Sequence, residues 1–366
     1  MQKKNPSIEV MIKEAYNLHK KNLLLEAKKK YLEILEMEPH LSQVLILLGT
    51  LVAQQQSYRE ALEYFNKAEA LDPHNADLFY NKGIALNALK LFDETIQSYN
   101  QAISLNPNFT FAYLNRGYTF FITKRFDEAI NDFTKVIELD PQYQDAYFYR
   151  GNAYSGIQEY KKAILDYERI DEARYHLLSQ KIYTRQLICD WNHYEEDVAK
   201  LEREINQNQI IRNPFAVLLT LDSPELQQKA ASNLVKTLFP RNDALGDLKK
   251  KPQKKEKLRL AYFSNDFNQS SLTSLIKGLL KFHDRSKFDL IGINYKLFKS
   301  DETQIEFESF FNEFYNLSNK SDLEIASFCR DLDIDIAIDL KGLSDDMRLG
   351  IFAYRVAQIG RASCRE

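Results

Sequence analysis

Two asparagines, Asn81 and Asn115, stand 34 residues apart at the same register of what reads as a repeated helix. An amide side chain offers two donors and an acceptor, so a stacked pair can grip a peptide backbone without reading its side chains. The alternative is that both are merely solvated polar residues. A second set of candidates lies in SNDFNQSS (264–271) and DLKGLSDD (339–346), where Asp266, Asp339 and Lys341 put two carboxylates and an ammonium just past apolar strands. In open α/β sheets ligands collect beyond the carboxyl ends of the strands, which makes these segments the places to look for a site. Neither contains GxGxxG or a Walker loop, so no dinucleotide or P-loop nucleotide site is indicated. A third stretch, CDWNHYEEDV (189–198), sets His193 beside carboxylates. No second His or Cys falls at ligand spacing, and a structural His on a helix is the favoured reading.

The elements that would carry the asparagines recur with a fixed period. Pro39, Pro73, Pro107 and Pro141 follow one another at 34 residues, each where a helix must stop. In register with them run small residues, Ala15, Gly49, Gly83, Gly117 and Gly151, and a second small set, Ala27, Ala61, Thr95, Ala129 and Ala163. Four residues after the second set come Tyr31, Phe65, Tyr99, Phe133 and Tyr167, so small and aromatic positions should interlock. This pattern resembles the tetratricopeptide family, with five helix pairs over about residues 8–177. By that resemblance, the first helices line the concave face, and Lys13, Leu47, Asn81, Asn115 and Tyr149 look into it. Position two of the same helices reads Glu9, Gln43, Asp77, Phe111 and Asp145, with no basic residue. A clamp for an acidic carboxyl terminus is therefore not supported. Tyr80, Tyr118, Phe121 and Phe148 could form an aromatic groove, but ordinary packing between repeats is the better reading.

Beyond residue 177 the period fails. Helical patterning continues through residues 180–207 and again after Ser223-Pro224-Glu225, which reads as an N-cap with Pro at the first helical position. LKKKPQKKEK (248–257) reads as a solvated linker. Then strand and helix alternate: 258–264, 288–295 and 334–340 as strands, with helical spacing between them. That alternation implies a parallel sheet of the doubly wound type. The bulk numbers fit an ordinary soluble protein of several domains: 366 residues, 44% hydrophobic, 28% charged, formal charge −3. Nothing in them favours nucleic acid or an anionic membrane. No run is long enough to span a bilayer and no signal segment opens the chain, so the cytoplasm is the expected compartment. Cys189, Cys329 and Cys364 are unpaired by spacing and are expected to be reduced and mostly buried.

Taken in order, the repeats, CDWNHYEEDV, LRLAYFSNDF, HDRSKFDLIGINY and IDIAIDLKGLSDDMRLGIFAYR resemble the O-linked N-acetylglucosamine transferase and SPINDLY family of protein glycosyltransferases. The resemblance implies a superhelix (8–177), a helical connector (178–247), the linker (248–257) and the first of two Rossmann-like halves (258–359). It implies sugar transfer from UDP-GlcNAc to Ser or Thr of proteins held by the repeats, with no metal or other cofactor. GDP-fucose is the alternative donor, and a non-catalytic interaction scaffold is the alternative from another class. Asp266, Asp339, Lys341, Gly342 and Arg355 match family-motif positions. Where the family carries a His-Pro pair and a further His, this chain has Ser270, Ser271 and Ser274, and a serine hydroxyl cannot take a proton at neutral pH as imidazole can. Leu343 and Ser344 depart from the family pattern as well. His283 matches the family but reads as packing or capping. The family holds its donor mainly in the second half, so these residues alone are expected to be inactive. Residues 360–366 are expected to be a non-native tail: IGRASCRE is also what a common sequencing adaptor encodes in one frame.

Overall fold

The computed structural model describes residues 7–248, 255–267, 271–296, 302–343, 347–357 and 359–362, without side chains at 271–273, 302–304, 361 and 362. The chain divides into two compact units, Met1–Tyr175 and His176–Glu366.

The first unit is built from five helix pairs: α1 (Ile8–Lys20) with α2 (Leu24–Met37), α3 (Ser42–Gln54) with α4 (Tyr58–Leu71), α5 (Ala76–Ala88) with α6 (Phe92–Leu105), α7 (Thr110–Ile122) with α8 (Phe126–Leu139), and α9 (Gln144–Gly156) with α10 (Tyr160–Tyr167). A single turn, α11 (Glu172–Tyr175), closes it. Each of the four prolines sits just past the second helix of a pair, where its missing N–H removes no helical bond.

Small and aromatic positions interlock as expected. A Cβ added at Gly49, Gly83, Gly117 or Gly151 would stand 2.7, 2.5, 2.9 and 2.6 Å from Phe65, Tyr99, Phe133 and Tyr167. Those four rings are almost wholly buried, and each is worth about 2–3 kcal/mol in transfer from water. The turn between paired helices repeats too, with Asn22, Gln56, Lys90, Lys124 and Gln158 all left-handed at φ near 60°. Two buried ion pairs recur at the same 34-residue step. Arg116 grips Asp132 through two nitrogens (2.8 and 2.6 Å), and Arg150 grips Asp166 in the same way (2.9 and 2.7 Å). The remaining Nη1 of each reaches back to the preceding repeat, Arg116 to Asn100 and Arg150 to Thr134.

In the second unit, α12 (Leu178–Leu187), α13 (Tyr194–Asn206), α14 (Pro214–Thr220) and α15 (Pro224–Leu238) share a core of Leu178, Ile182, Leu201, Ile205, Val217 and Ala230. Asn213 and Ser223 cap α14 and α15 by accepting from Ala216 and Leu226, each with Pro next in line. The helical pattern over 180–207 is broken between α12 and α13. Asp190 accepts from the backbone of Asn192, and Cys189 and His193 are both left-handed, so His193 precedes a helix instead of lying on one.

The sheet follows: β1 (Leu258–Ser264), α16 (Ser271–Lys281), β2 (Phe288–Asn294), α17 (Glu302–Glu308), β3 (Glu313–Asn316), α18 (Asp322–Asp331), β4 (Ile336–Asp339), α19 (Gly350–Ala353) and β5 (Ile359–Ala362). All pairings are parallel, in the order β3-β2-β1-β4-β5. Along β1 the side chains alternate between two cores, Ala261 and Phe263 on one face, Leu260 and Tyr262 on the other. A sheet buried on both faces is the usual parallel case.

Two expectations change, at the Lys-rich run and at the cysteines. Gly360, Arg361 and Ala362, expected to be a non-native tail, have the backbone of a strand: β5 pairs with β4, and the Ile359 N–H reaches the Asp335 carbonyl at 3.2 Å. An edge strand needs only backbone partners, so polar residues serve there. The end of the Lys-rich run is seated, with Lys255 on Asp333 (2.7 Å) and Asp335 (3.1 Å) and Lys257 near Asp289 (3.5 Å), while 249–254 lie outside the described residues. Cys189 is exposed, whereas Cys329 is buried and its thiol is pushed up to about 12 by that burial. Cys364 is outside the described residues.

Candidate functional site

Each of the first four strands ends in a polar side chain that turns the chain. Ser264 Oγ, Asn294 Oδ1, Asn316 Oδ1 and Asp339 Oδ1 each accept from the backbone N–H two residues on, at 3.0, 3.4, 3.2 and 3.1 Å. The short polar side chain satisfies a donor that the ladder no longer serves, and the chain leaves the sheet. In register, Ser264 lies beside Asn294, and Asn294 beside Asn316. The carboxyl edge of the sheet is therefore a row of self-capped turns.

Asp339 does the most at this edge. It is 3% exposed, and its second oxygen accepts from Gly342 at 2.8 Å. Burial pushes its carboxyl above the usual range, against the pull of the two N–H groups and of Lys341. Gly342 supplies the left-handed residue of this loop (φ 57°). The loop so held presents Lys341, whose Nζ meets Asp266 Oδ2 at 2.7 Å across from β1. Four sequence-predicted positions, Asp266, Asp339, Lys341 and Gly342, thus come together. An ammonium held there can meet a phosphate or another anion once its carboxylate partner yields.

Arg355 is not brought to this cluster. It precedes β5 at the amino-terminal end of the sheet, left-handed at φ 56°, where its carbonyl accepts from Arg330 Nε at 3.1 Å. Arg330 also donates to the carbonyls of Leu245, Gly246 and Tyr354, which makes it the knot of that end. Ser270 and Ser344 lie outside the described residues. His283 Nε2 is 2.7 Å from the Tyr262 hydroxyl, its ring edge-on to Phe288. His193 is exposed, 3.6 Å from Glu196. Among the described residues no group of three or more His, Cys, Asp or Glu is arranged to hold a metal. No described helix is long and apolar enough to cross a membrane.

In the repeat unit a groove of about 1030 Å³ opens over α3, with Ile46, Leu47 and Thr50 in its floor. Tyr16, His19 and Lys20 of α1 line one side; Asp77 and Asn81 of α5, with Asp72 and Asn75 before them, line the other. The two predicted asparagines have separate fates. Asn81 lines the groove, whereas Asn115 donates to the Tyr80 hydroxyl at 3.1 Å. The aromatic residues considered for a groove are packed against other rings: Tyr80 on Phe109 at 4.9 Å, Tyr118 on Tyr149 at 5.3 Å, Phe121 on Phe126 at 5.8 Å and Phe148 on Tyr175 at 5.1 Å. The recurring Arg–Asp pairs were missed in the sequence, though Arg116 and Arg150, like Asp132 and Asp166, carry the 34-residue signal that would have revealed them.

Models of the tetratricopeptide repeat match residues 42–75, 76–109 and 111–143. No curated protein sequence matches the chain. Among solved structures, the chain is similar to YrrB, "a TPR protein with an unusual peptide-binding site", at 28% identity over 43% of this chain and 82% of that one, TM-score 0.40. A tetratricopeptide repeat protein from Parabacteroides merdae aligns at 19% identity over 62% and 90%, TM-score 0.49. A mutant O-GlcNAc transferase from Thermobaculum terrenum aligns at 18% identity over 97% of this chain and 50% of that one, TM-score 0.35. The helix pairs α3–α8 are thus tetratricopeptide repeats, and the α/β unit carries a small parallel sheet of five strands.

Proposed function

We propose that the chain is a protein-interaction scaffold that holds an extended polypeptide segment against the first helices of its repeats. The observation that carries this is the groove over α3, whose walls offer polar groups not consumed by neighbouring repeats, Asn81 among them. Asn81 is the amide that grips the peptide backbone; Asn115, bonded to Tyr80, contributes by positioning that ring. The test is peptide affinity by fluorescence anisotropy in Asn81→Ala and Asn115→Ala. Loss in the first with little change in the second is expected, and unchanged affinity in both removes the assignment.

A second reading is favoured by the strand-end cluster. Lys341, held on Asp266 by an Asp339-capped loop, stands where doubly wound sheets bind ligands, and the order β3-β2-β1-β4-β5 is the one that fold uses. On this reading the α/β unit is the first Rossmann-like half of a protein O-glycosyltransferase, taking UDP-GlcNAc or, in the SPINDLY branch, GDP-fucose. The domain boundaries at 177, 247 and 257 belong to the same proposal, as does a cytoplasmic setting. With Ser270 at the family's His position, turnover would be poor even in a two-half enzyme. Reading the locus past codon 359 decides between the two: an in-frame second α/β half with basic residues at its strand ends carries the enzyme, and a stop there leaves the scaffold alone.

A further inference from the structure

The groove over α3 has a polarity that a neutral backbone clamp does not need. On the α1 side stands one cation, Lys20, exposed and with its Nζ 5.0 Å above the Tyr16 ring. On the α5 side stand two carboxylates, Asp72 and Asp77, and no cation pairs with either among the described residues. Asp72 accepts only from Asn75 at 3.2 Å, and Asp77 points from the first turn of α5 with its side chain exposed. Between these rims the floor carries two aliphatic side chains, Ile46 and Leu47, beside Thr50.

Span follows from helix packing. Neighbouring helices lie about 8–10 Å apart, so the width from α1 past α3 to α5 is roughly 16–20 Å, which an extended chain covers in about five or six residues at about 3.3 Å each. We infer that the groove selects a segment of that length carrying a Lys or Arg that reaches Asp72 and Asp77 and an apolar side chain that lies on Ile46 and Leu47. This rests on the peptide-binding reading above and adds the chemical class of the segment. Asp77 stands at position two of its repeat, where a clamp for acidic termini would need a cation, and with Asp72 it sets the sign of the selection. Electrostatic complementarity of this kind governs which partner is admitted more than how tightly any partner is held.

The experiment compares two labelled peptides of equal length, each with a central Leu, one bearing Arg and the other Glu at the terminal position, by anisotropy at low salt. Binding of the Arg peptide about tenfold or more tighter is expected, with that preference falling to near unity in Asp72→Asn/Asp77→Asn. Thermal unfolding of the same variant separates loss of a first-turn acid from loss of selection. Equal binding of both peptides to the wild type overturns the charge selection and leaves peptide binding standing. An Arg preference that survives in a folded double variant overturns the assignment to these two carboxylates. Binding of neither peptide at millimolar concentration overturns both this inference and the reading beneath it.

Discussion

In the repeat unit Arg116 meets Asp132 at a sequence distance of 16 residues, and Arg150 meets Asp166 at the same distance. In the α/β unit Lys341 meets Asp266 across 75 residues and Lys255 meets Asp333 across 78. The first kind of contact closes a short loop and is made again one repeat later. The second must bring distant strands together before anything is gained. A stack of repeats distributes its stability over neighbouring pairs, each a near copy of the last. The sheet depends on single junctions, such as Arg330 with its four carbonyl acceptors, that nothing duplicates.

The sharpest way to break this contrast is at a buried pair. Arg116→Ala leaves Asp132, 4% exposed and already pushed up by burial, without its cation. Removing one partner of such a pair costs about 3–5 kcal/mol, because an uncompensated charge stays buried. Hydrogen exchange should show the loss of protection greatest in α7 and α8 and fading toward α1 and α2. A uniform loss over α1–α10 would mean that the stack unfolds as one block and that its repetition does not localise damage.

A single substitution made in both units gives a smaller effect but a change of sign. Gly83→Ala puts a Cβ 2.5 Å from the Tyr99 ring, and overpacking of this kind costs about 1–3 kcal/mol. Gly278→Ala, inside α16, meets nothing within 4 Å and gains about 0.5–1 kcal/mol of helix propensity. Urea unfolding of each variant reads both directions. If the two substitutions shift the midpoint the same way, close approach at the repeat glycine is not what fixes that residue.

The same contrast explains what was legible in the sequence. Three registers of small and aromatic residues, each in five copies, announce the repeats, since each error of reading is corrected by four other copies. The α/β unit gives one copy of everything. Its longer strands were readable as apolar runs between helical stretches, with Ile alternating against Asp and Ala in 334–340, but β3, with the sequence EFYN, is four residues long and gives no such signal. The edge strand β5, with the sequence IGRA, pairs with β4 through its backbone and carries no apolar alternation for a reader to find. At the candidate site, Asp266, Asp339 and Lys341 were visible as residue types past apolar runs, whereas Asp339's role as the cap that shapes the Lys341 loop depends on burial that only the fold supplies. Asn81 and Asn115 looked equivalent because they share a register. They differ because the residue 35 positions earlier is Tyr80 for Asn115, whose hydroxyl accepts its amide, and Ile46 for Asn81, which has no polar side-chain atom.

The smallest expected effect is one of pH, and it separates His283 by sign from the buried carboxylates of both units. His283 is half-buried, its Nε2 2.7 Å from Tyr262, whose hydroxyl burial pushes up to about 12 and so keeps as a donor. Burial, with Arg285 nearby, holds the His283 imidazole below its ordinary value of 6.5. Below that value the unfolded chain takes up a proton that the folded chain refuses, so stability present above about pH 6.5 is lost as the pH falls. Asp132 in the repeats runs the other way: its carboxyl is raised by burial, so the folded form binds its proton first and acid relieves part of its cost. Asp339, raised by burial in the α/β unit, would mask the histidine in the raw profile. His283→Gln keeps an acceptor for Tyr262 without the titration, and subtracting its thermal midpoints from those of the wild type cancels every carboxylate. That difference should turn against the wild type as the pH falls below about 6.5. Parallel profiles would show that Tyr262 accommodates the imidazolium by turning its own lone pair to it, and that the pair is packing without a proton preference.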